Sequence, residues 1–409
     1  MTKKWFLILM VVFFVFQGVV LTAADNPADK EIQKKIQKAM KSADSALNDK
    51  KFDKAIEGYN EVLQLSPEHG PAFFGLGRAQ AALQKNEEAI TNLEKAIKLD
   101  PNATPDMKKF FINTIINTIR TLASSGKNNM LSPYYIKIVE IPGIETINEQ
   151  LYVESLTQIG YSFFASREIE KAIEYYKKLE AYPNALTNPA YKKYYFQAIF
   201  QIAYGYSQLG KGKEAVEYFS KLIQNPDAQT PEFNTLYISS YCLMGMAYNQ
   251  IGEFEKSNEA LKKFLEIGAN SSVHTQLLPV ANMLIGGNHM NLLQKEAERI
   301  KQSNPKEQVT MVADLTKKDK EAETYLLKAI ELNPNLEEAY MHLGNYYYFC
   351  NDLDKTIEYY QKLVDKFPGA NSISVYKSFL ENRIKDKTLR ENAAKEQAKE
   401  KKPAKGTKK

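Results

Sequence analysis

The chain has 409 residues, 44% hydrophobic and 25% charged, with 25 Tyr and 20 Phe against one Trp. That length and apolar content suit two or three ordinary domains or one elongated array, while two cysteines over a hundred residues apart exclude a disulfide framework. The formal charge of +5 is a property of the ends: ten basic and four acidic residues fall between Lys385 and Lys409, and residues 5 to 384 carry −3. A nearly neutral body excludes a nucleic-acid-binding array.

Residues 1–24 have the layout of a secretory signal. Lys3 and Lys4 precede an unbroken apolar run from Trp5 to Phe16, followed by Gln17, Gly18 and the small residues Thr22, Ala23 and Ala24. Twelve residues are short for a bilayer-spanning helix. Removal after Ala23 or Ala24 is expected; retention as a membrane anchor, helped by Val19–Leu21, is the alternative. No cysteine follows the run, which disfavours lipid attachment.

Helical periodicity begins at Asp29, with Ile32, Ile36, Ala39, Met40, Ala43 and Leu47 on one stripe. Helices are predicted from Asp29 to Asn48, Phe52 to Leu65, Pro71 to Leu83 and Asn86 to Leu99. The second and fourth close at Pro67 and Pro101, because proline cannot continue a helix. Ala55, Tyr59 and Pro67 recur 34 residues later as Ala89, Leu93 and Pro101. A period of that length means helix pairs that bury their apolar stripes only by stacking on neighbours. The small residues lie where two antiparallel helices cross, since only Gly, Ala or Ser lets the backbones come close.

Ala43, Ala55 and Pro67 in the first unit, and Gly77, Ala89 and Pro101 in the second, resemble the tetratricopeptide repeat. The resemblance implies an all-α solenoid of antiparallel helix pairs wound into a right-handed superhelix, over residues 29–103 and beyond. The pattern resumes in 151–273 as Gly160 with Ala172 and Pro183, Ala203 with Ala215 and Pro226, and Gly245 with Ser257. Spacings of 43 and 42 residues between second helices there predict longer helices or longer connections, such as Tyr182 to Pro189. Residues 274–370 return to the short period through Ala322 and Pro334, then Thr356 and Pro368, with Leu343-Gly344 and Tyr347 on the last first helix. Pro279 to Leu293, with Gly286 as its small residue, is expected to pair with the helix at Ala322 across an exposed excursion near 294–318; Pro305 to Leu315 is the other candidate.

Residues 104–150 match the pattern least. Phe110, Phe111, Ile115, Ile116 and Ile119 make a helical stripe, and Ser132-Pro133 reads as a cap with proline at the first helical position. A degenerate repeat is expected, an irregular connector being the alternative. Residues 371–385 supply a capping helix, and residues 386–409, poor in apolar side chains after Leu389, are predicted to be a disordered basic tail that solubilises the chain or touches an anionic surface.

Catalytic constellations are absent from the sequence. His69, His274, His289 and His342 are scattered, with no paired histidine motif, no Cys-x-x-Cys and no nucleophile elbow. Gly210-Lys211-Gly212-Lys213 reads as a turn between paired helices and not as a phosphate loop. His289 reads as a packed histidine, and Cys242 and Cys350 as small buried hydrophobes. Asn102-Ala103-Thr104 and Asn270-Ser271-Ser272 fit a glycosylation pattern but are discounted, because the chain has a bacterial character. No enzyme activity, cofactor or metal is expected; an enzyme with a site on the 294–318 segment is the outside alternative.

By the resemblance, first helices line a concave groove. Its candidate residues are Tyr161, Phe164, Phe200, Tyr204, Met246, Asn249, Met283, Met290, Met341, Asn345 and Tyr348, an aromatic and methionine-rich set suited to peptide or helical segments of other proteins. Relatives that bind acidic C-terminal tails use a Lys/Asn/Arg set, whereas the first two units here offer Met40, Asp44, Phe74 and Arg78. No preference for such tails is expected. The function read from the sequence is a non-enzymatic scaffold of the bacterial envelope or periplasm, exported or tethered, with membrane contact through the N-terminal segment or the tail. Oligomeric state is not legible.

Overall fold

A computed structural model describes residues 27–100, 103–269, 272–303, 308–318 and 320–400. The signal-like segment, Pro101, Asn102, Asn270, Ser271 and the last nine residues lie outside them. The described residues form helices and turns without a strand, and the chain divides into two compact units, Met1–Ser162 and Phe163–Lys409.

The first unit opens with α1 (Pro27–Asn48) and α2 (Phe52–Leu65), then α3 (Gly70–Ala82) and α4 (Asn86–Leu99). These bounds follow the expected ones to within two residues. The α3 start has a cap that the sequence did not announce: His69 Nδ1 accepts from the Ala72 amide at 3.1 Å, with Pro71 just inside the helix. Ile36, Ala43, Leu47, Ala55, Tyr59, Val62 and Leu76 form the core of this part. The third repeat keeps only its first helix at full length. α5 (Pro105–Ser124), capped by Thr104 Oγ1 on the Met107 amide at 3.3 Å, is followed by α6 (Ser132–Val139) and the four-residue α7 (Ile144–Ile147). Phe111, Ile115, Ile119, Ile138, Ile141 and Ile144 pack into one cluster, so the weak segment has a helical core of its own. Ser132 does not cap α6: the cap position is Leu131, which offers no side-chain bond. α8 (Glu149–Ala165) carries buried Val153, Leu156 and Ile159.

The second unit contains α9 (Ile169–Glu180), the short α10 (Asn184–Thr187), α11 (Lys192–Gln208), α12 (Gly212–Ile223), α13 (Asn234–Gln250) and α14 (Phe254–Gly268). Both sources of the longer period are present. α11 and α13 have 17 residues against 13 in α3, and α10 and a 3-10 turn at Pro226–Gln229 fill the connections. Then follow α15 (Leu277–Ser303), α16 (Gln308–Lys318), α17 (Lys320–Leu332), α18 (Glu337–Phe349), α19 (Leu353–Lys366) and α20 (Ile373–Glu400).

One device ends the first helices. Lys50, Gln84, Gly126, Arg167, Gly210, Gly252 and Asn351 have φ between 56° and 79°, and the next residue's amide bonds back five residues, as Lys85 N to Gln80 O at 3.0 Å and Glu253 N to Tyr248 O at 3.0 Å. This is a left-handed helix stop. Outside the third repeat the stop lies seven residues after the small crossing residue: Ala43 to Lys50, Gly77 to Gln84, Gly160 to Arg167, Ala203 to Gly210, Gly245 to Gly252, Gly344 to Asn351. Gln84 holds this conformation against its own Cβ, which costs roughly 1 kcal/mol. Gln84→Gly should therefore raise stability by about 0.5–1 kcal/mol, read as a later urea midpoint with an unchanged slope; a lower midpoint would count against a strained stop.

The same count from Gly286 reaches Leu293, a residue ill suited to positive φ. α15 accordingly runs on for another ten residues. Gly286 is the crossing residue of its pair, since a Cβ there would stand 2.5 Å from Leu326 Cγ and 3.2 Å from the Ala322 carbonyl oxygen. The pairing of Pro279–Leu293 with the Ala322 helix thus holds, while the exposed excursion at 294–318 does not. α16 folds back, and Ala297, Ile300 and Val312 bury themselves beside Phe349. A second correction concerns the C-terminus. α20 extends past the expected 371–385 cap to Glu400, because Ala, Lys and Glu are strong helix formers even where nothing packs. Its inner side is tied down by Lys387 to Asp354 at 2.6 Å and Arg390 to Asn351 at 3.2 Å. Residues 386–400 are therefore helical, and the rest of the expected tail lies outside the described residues.

Candidate protein-binding site

The ends of α1 and α3, the starts of α2 and α4, and the middle of α5 enclose a cleft of about 580 Å³ in the first unit. Its wall is built by periodicity. Asn113 and Asn117 are one helical turn apart on the side of α5 away from its isoleucine stripe, and Arg78, Ala81 and Ala82 line the matching side of α3. Asn48, Lys50 and Asn86 come from the helix ends, with Leu47, Phe52 and Phe110 supplying apolar surface. Four carboxamides converge, each with a donor and an acceptor. The charges on the lining are both positive, from Lys50 and Arg78.

The arrangement is fixed from behind. Arg78 lies 5.8 Å from the Phe74 ring, and Phe74 meets Phe110 edge-on at 6.0 Å. The nearby carboxylate of Asp44 is engaged: Tyr59, fully buried, donates to it at 2.6 Å, and burial with this bond pushes the phenol well above its ordinary range. The cleft therefore offers amides, cations and a small apolar floor. Asn113 and Asn117 lie beyond the first two repeats, and an Asn pair at i, i+4 on the side opposite the isoleucine stripe is the sequence signal for them.

The eleven residues expected along a groove divide in the structure. Tyr161, in the first unit, is 62% exposed, and in the second unit Tyr204, Met246 and Tyr348 are also exposed. Phe164 is half-buried between Tyr176 and Tyr204 at 6.0 and 6.2 Å. Phe200 lines an open hollow of about 460 Å³ with Lys193, Gln197, Gln201, Glu232, Phe233 and Leu236. Met283 is half-buried and Met290 is buried in the cluster around Leu326 and Tyr347. Met341 receives a weak bond from Tyr376 at 3.7 Å, and Asn345 accepts from Tyr360 at 2.7 Å.

Asn249 serves an internal network. It donates to Asn288, which in turn donates to Ser257 Oγ and Asn258 Oδ1, both at 2.8 Å, while Ser257 donates to the Gly245 carbonyl at 2.7 Å. This polar node joins α13, α14 and α15. His289 lies 3.3 Å from Glu321, and burial lowers the pKa of both His274 and His342. Cys242 and Cys350 are buried free thiols, and burial pushes Cys242 up to about 12. Among the described residues no group of three His, Cys, Asp or Glu side chains is placed to hold a metal ion, and no helix is long and apolar enough to cross a membrane.

Models of the tetratricopeptide repeat match residues 46–110, then 154–185, 197–228 and 338–370, then 238–270 and 311–336. Together they cover more than half of the chain and leave residues 111–153 unmatched. No curated protein matches. Among solved structures, the C-terminal part of a TPR repeat-containing protein from Cytophaga hutchinsonii is 15% identical, with a TM-score of 0.36, over 74% of this chain and 99% of that one. The apo form of RapI is 15% identical with a TM-score of 0.38, over 81% and 96%. A tetratricopeptide repeat protein from Parabacteroides merdae is 15% identical with a TM-score of 0.33, over 67% and 98%. With its crossing residues, helix pairs and repeat matches in agreement, the chain belongs to the tetratricopeptide repeat superfamily.

Proposed function

We propose that this chain is a non-enzymatic adaptor of the bacterial cell envelope that holds an extended segment of a partner protein in the cleft of its first unit. The carrying observation is the convergence of Asn48, Asn86, Asn113 and Asn117 around an apolar floor. Carboxamides pair with backbone N–H and C=O groups whatever the side chains, and the floor takes one or two apolar residues. Lys50 and Arg78 discriminate against basic segments. The repeat fold itself supports protein partners in general. Envelope placement rests on Lys3, Lys4, the Trp5–Phe16 run and the small residues at 22–24.

A photoreactive amino acid at Asn117, introduced in the full chain in its native host, should crosslink to a second polypeptide. Lys213, exposed on α12, is the comparison site. Asn113→Ala with Arg78→Glu should reduce the adduct at least tenfold, about 1.4 kcal/mol or more for a lost hydrogen bond and a reversed charge. An adduct equally strong in that variant, or a stronger one from position 213, would contradict the reading.

A further inference from the structure

Lysines run along one side of α1. Lys34, Lys38 and Lys41 are exposed, and spacings of four and three residues align them on one helix face. Where α1 meets the start of α2, Lys51 and Lys54 join Lys38 and Lys41 around an open hollow of about 460 Å³ floored by Ser42, Ser45 and Ala46. Asp49, the acid on its rim, is paired with Lys51 at 3.1 Å. Lys38, Lys41 and Lys54 have no carboxylate within ion-pair distance among the described residues, so three cations surround two hydroxyls without compensation.

We infer that this lysine face seats the first unit on an anionic lipid surface, its ammonium groups and serine hydroxyls taking headgroup phosphodiesters. The composition of the hollow separates this occupant from others. A protein interface needs an apolar or aromatic centre, and Ala46 is all the hollow offers. Single-stranded nucleic acid binding uses aromatic platforms, and no aromatic lines it. A bilayer surface needs only clustered positive charge, each lysine strengthening contact about fivefold. In the tethered alternative, where the Trp5–Phe16 run is retained, that run ends eleven residues before Pro27, a reach of at most about 40 Å that would keep α1 near the headgroups. The face is separate from the peptide cleft, and its test is independent of that reading.

The test uses the full chain with an environment-sensitive fluorophore at Gln37→Cys, exposed beside Lys38 on α1 and outside the hollow, since Cys242 and Cys350 are buried. The labelled protein is reconstituted with phosphatidylcholine vesicles or with phosphatidylglycerol-rich vesicles, and iodide quenching is read. Quenching should fall severalfold on the anionic vesicles, and high salt should restore it. K38Q/K41Q/K51Q/K54Q should remove the difference with helicity unchanged, and K38Q or K41Q alone should reduce it if the quadruple variant folds poorly. Equal quenching on both vesicles, protection that survives the substitutions, or stronger protection by duplex DNA than by anionic vesicles would overturn the inference.

Discussion

Gly286→Val should destabilise the second unit by about 3 kcal/mol, seen as a drop in the urea midpoint of the far-ultraviolet transition. A side chain there meets Leu326 Cγ at 2.5 Å, Leu326 Cδ2 at 2.8 Å and the Ala322 carbonyl oxygen at 3.2 Å. Leu326 and Ala322 are both fully buried, so neither can step aside without opening the α15–α17 pair. Overpacking of this kind costs roughly 1–3 kcal/mol, more where backbone is the obstacle. The gain in helix propensity on replacing glycine is under about 1 kcal/mol and does not offset it. Gly369, with nothing within 4 Å of a built Cβ, is the control: Gly369→Ala should leave the midpoint unchanged or slightly raised. Equal effects at the two positions would remove close approach as the reason for the small residues.

Tyr59→Ala should cost about 3–5 kcal/mol in the first unit, and Tyr59→Phe no more than about 1–2 kcal/mol. The ring is fully buried against Gly75, where a Cβ would approach its Cζ to 2.2 Å, so deleting it leaves a cavity between α2 and α3. Removing only the hydroxyl breaks the 2.6 Å bond to Asp44. Asp44 is exposed enough for water to replace that partner. Comparable losses in the two variants would mean that the hydrogen bond, and not ring burial, dominates.

The helix pairs were legible because two signals coincide at each of them. An apolar stripe gives the helix, and a small residue at the crossing gives its partner, as with Ala43 and Ala55 or Gly77 and Ala89. What misled was the stretch after Leu293. Its charged surface reads as loop, yet the termination chemistry is in the sequence: the residue seven positions after the crossing glycine is leucine, where Gly, Asn, Lys, Gln or Arg stands in the other repeats outside the third. The helix has no stop, continues to Ser303, and finds burial for Ala297 and Ile300. The terminal helix beyond residue 385 escaped for the opposite reason, since low hydrophobicity argues against a core but not against an exposed helix of Lys, Glu and Ala.

The candidate site was less legible than the fold. Register assigns a residue to a helix face, but which neighbour covers that face depends on the next repeat. Asn249 and Asn345 sit on first helices as expected and spend their amides on Asn288 and Tyr360. Asn113 and Asn117 lie in the segment that matches the repeat pattern least, although its first helix, α5, is intact and keeps both amides outward.

The most direct test of the adaptor account is hydrogen exchange on the full chain, with and without peptides selected on it from a random display library. Bound peptide should slow exchange in the last turn of α3, the first turn of α4 and the middle of α5, and Asn113→Ala with Asn117→Ala should abolish that protection. Protection confined to other helices, or unchanged by those substitutions, would contradict the assignment of the cleft as the place where partners are held.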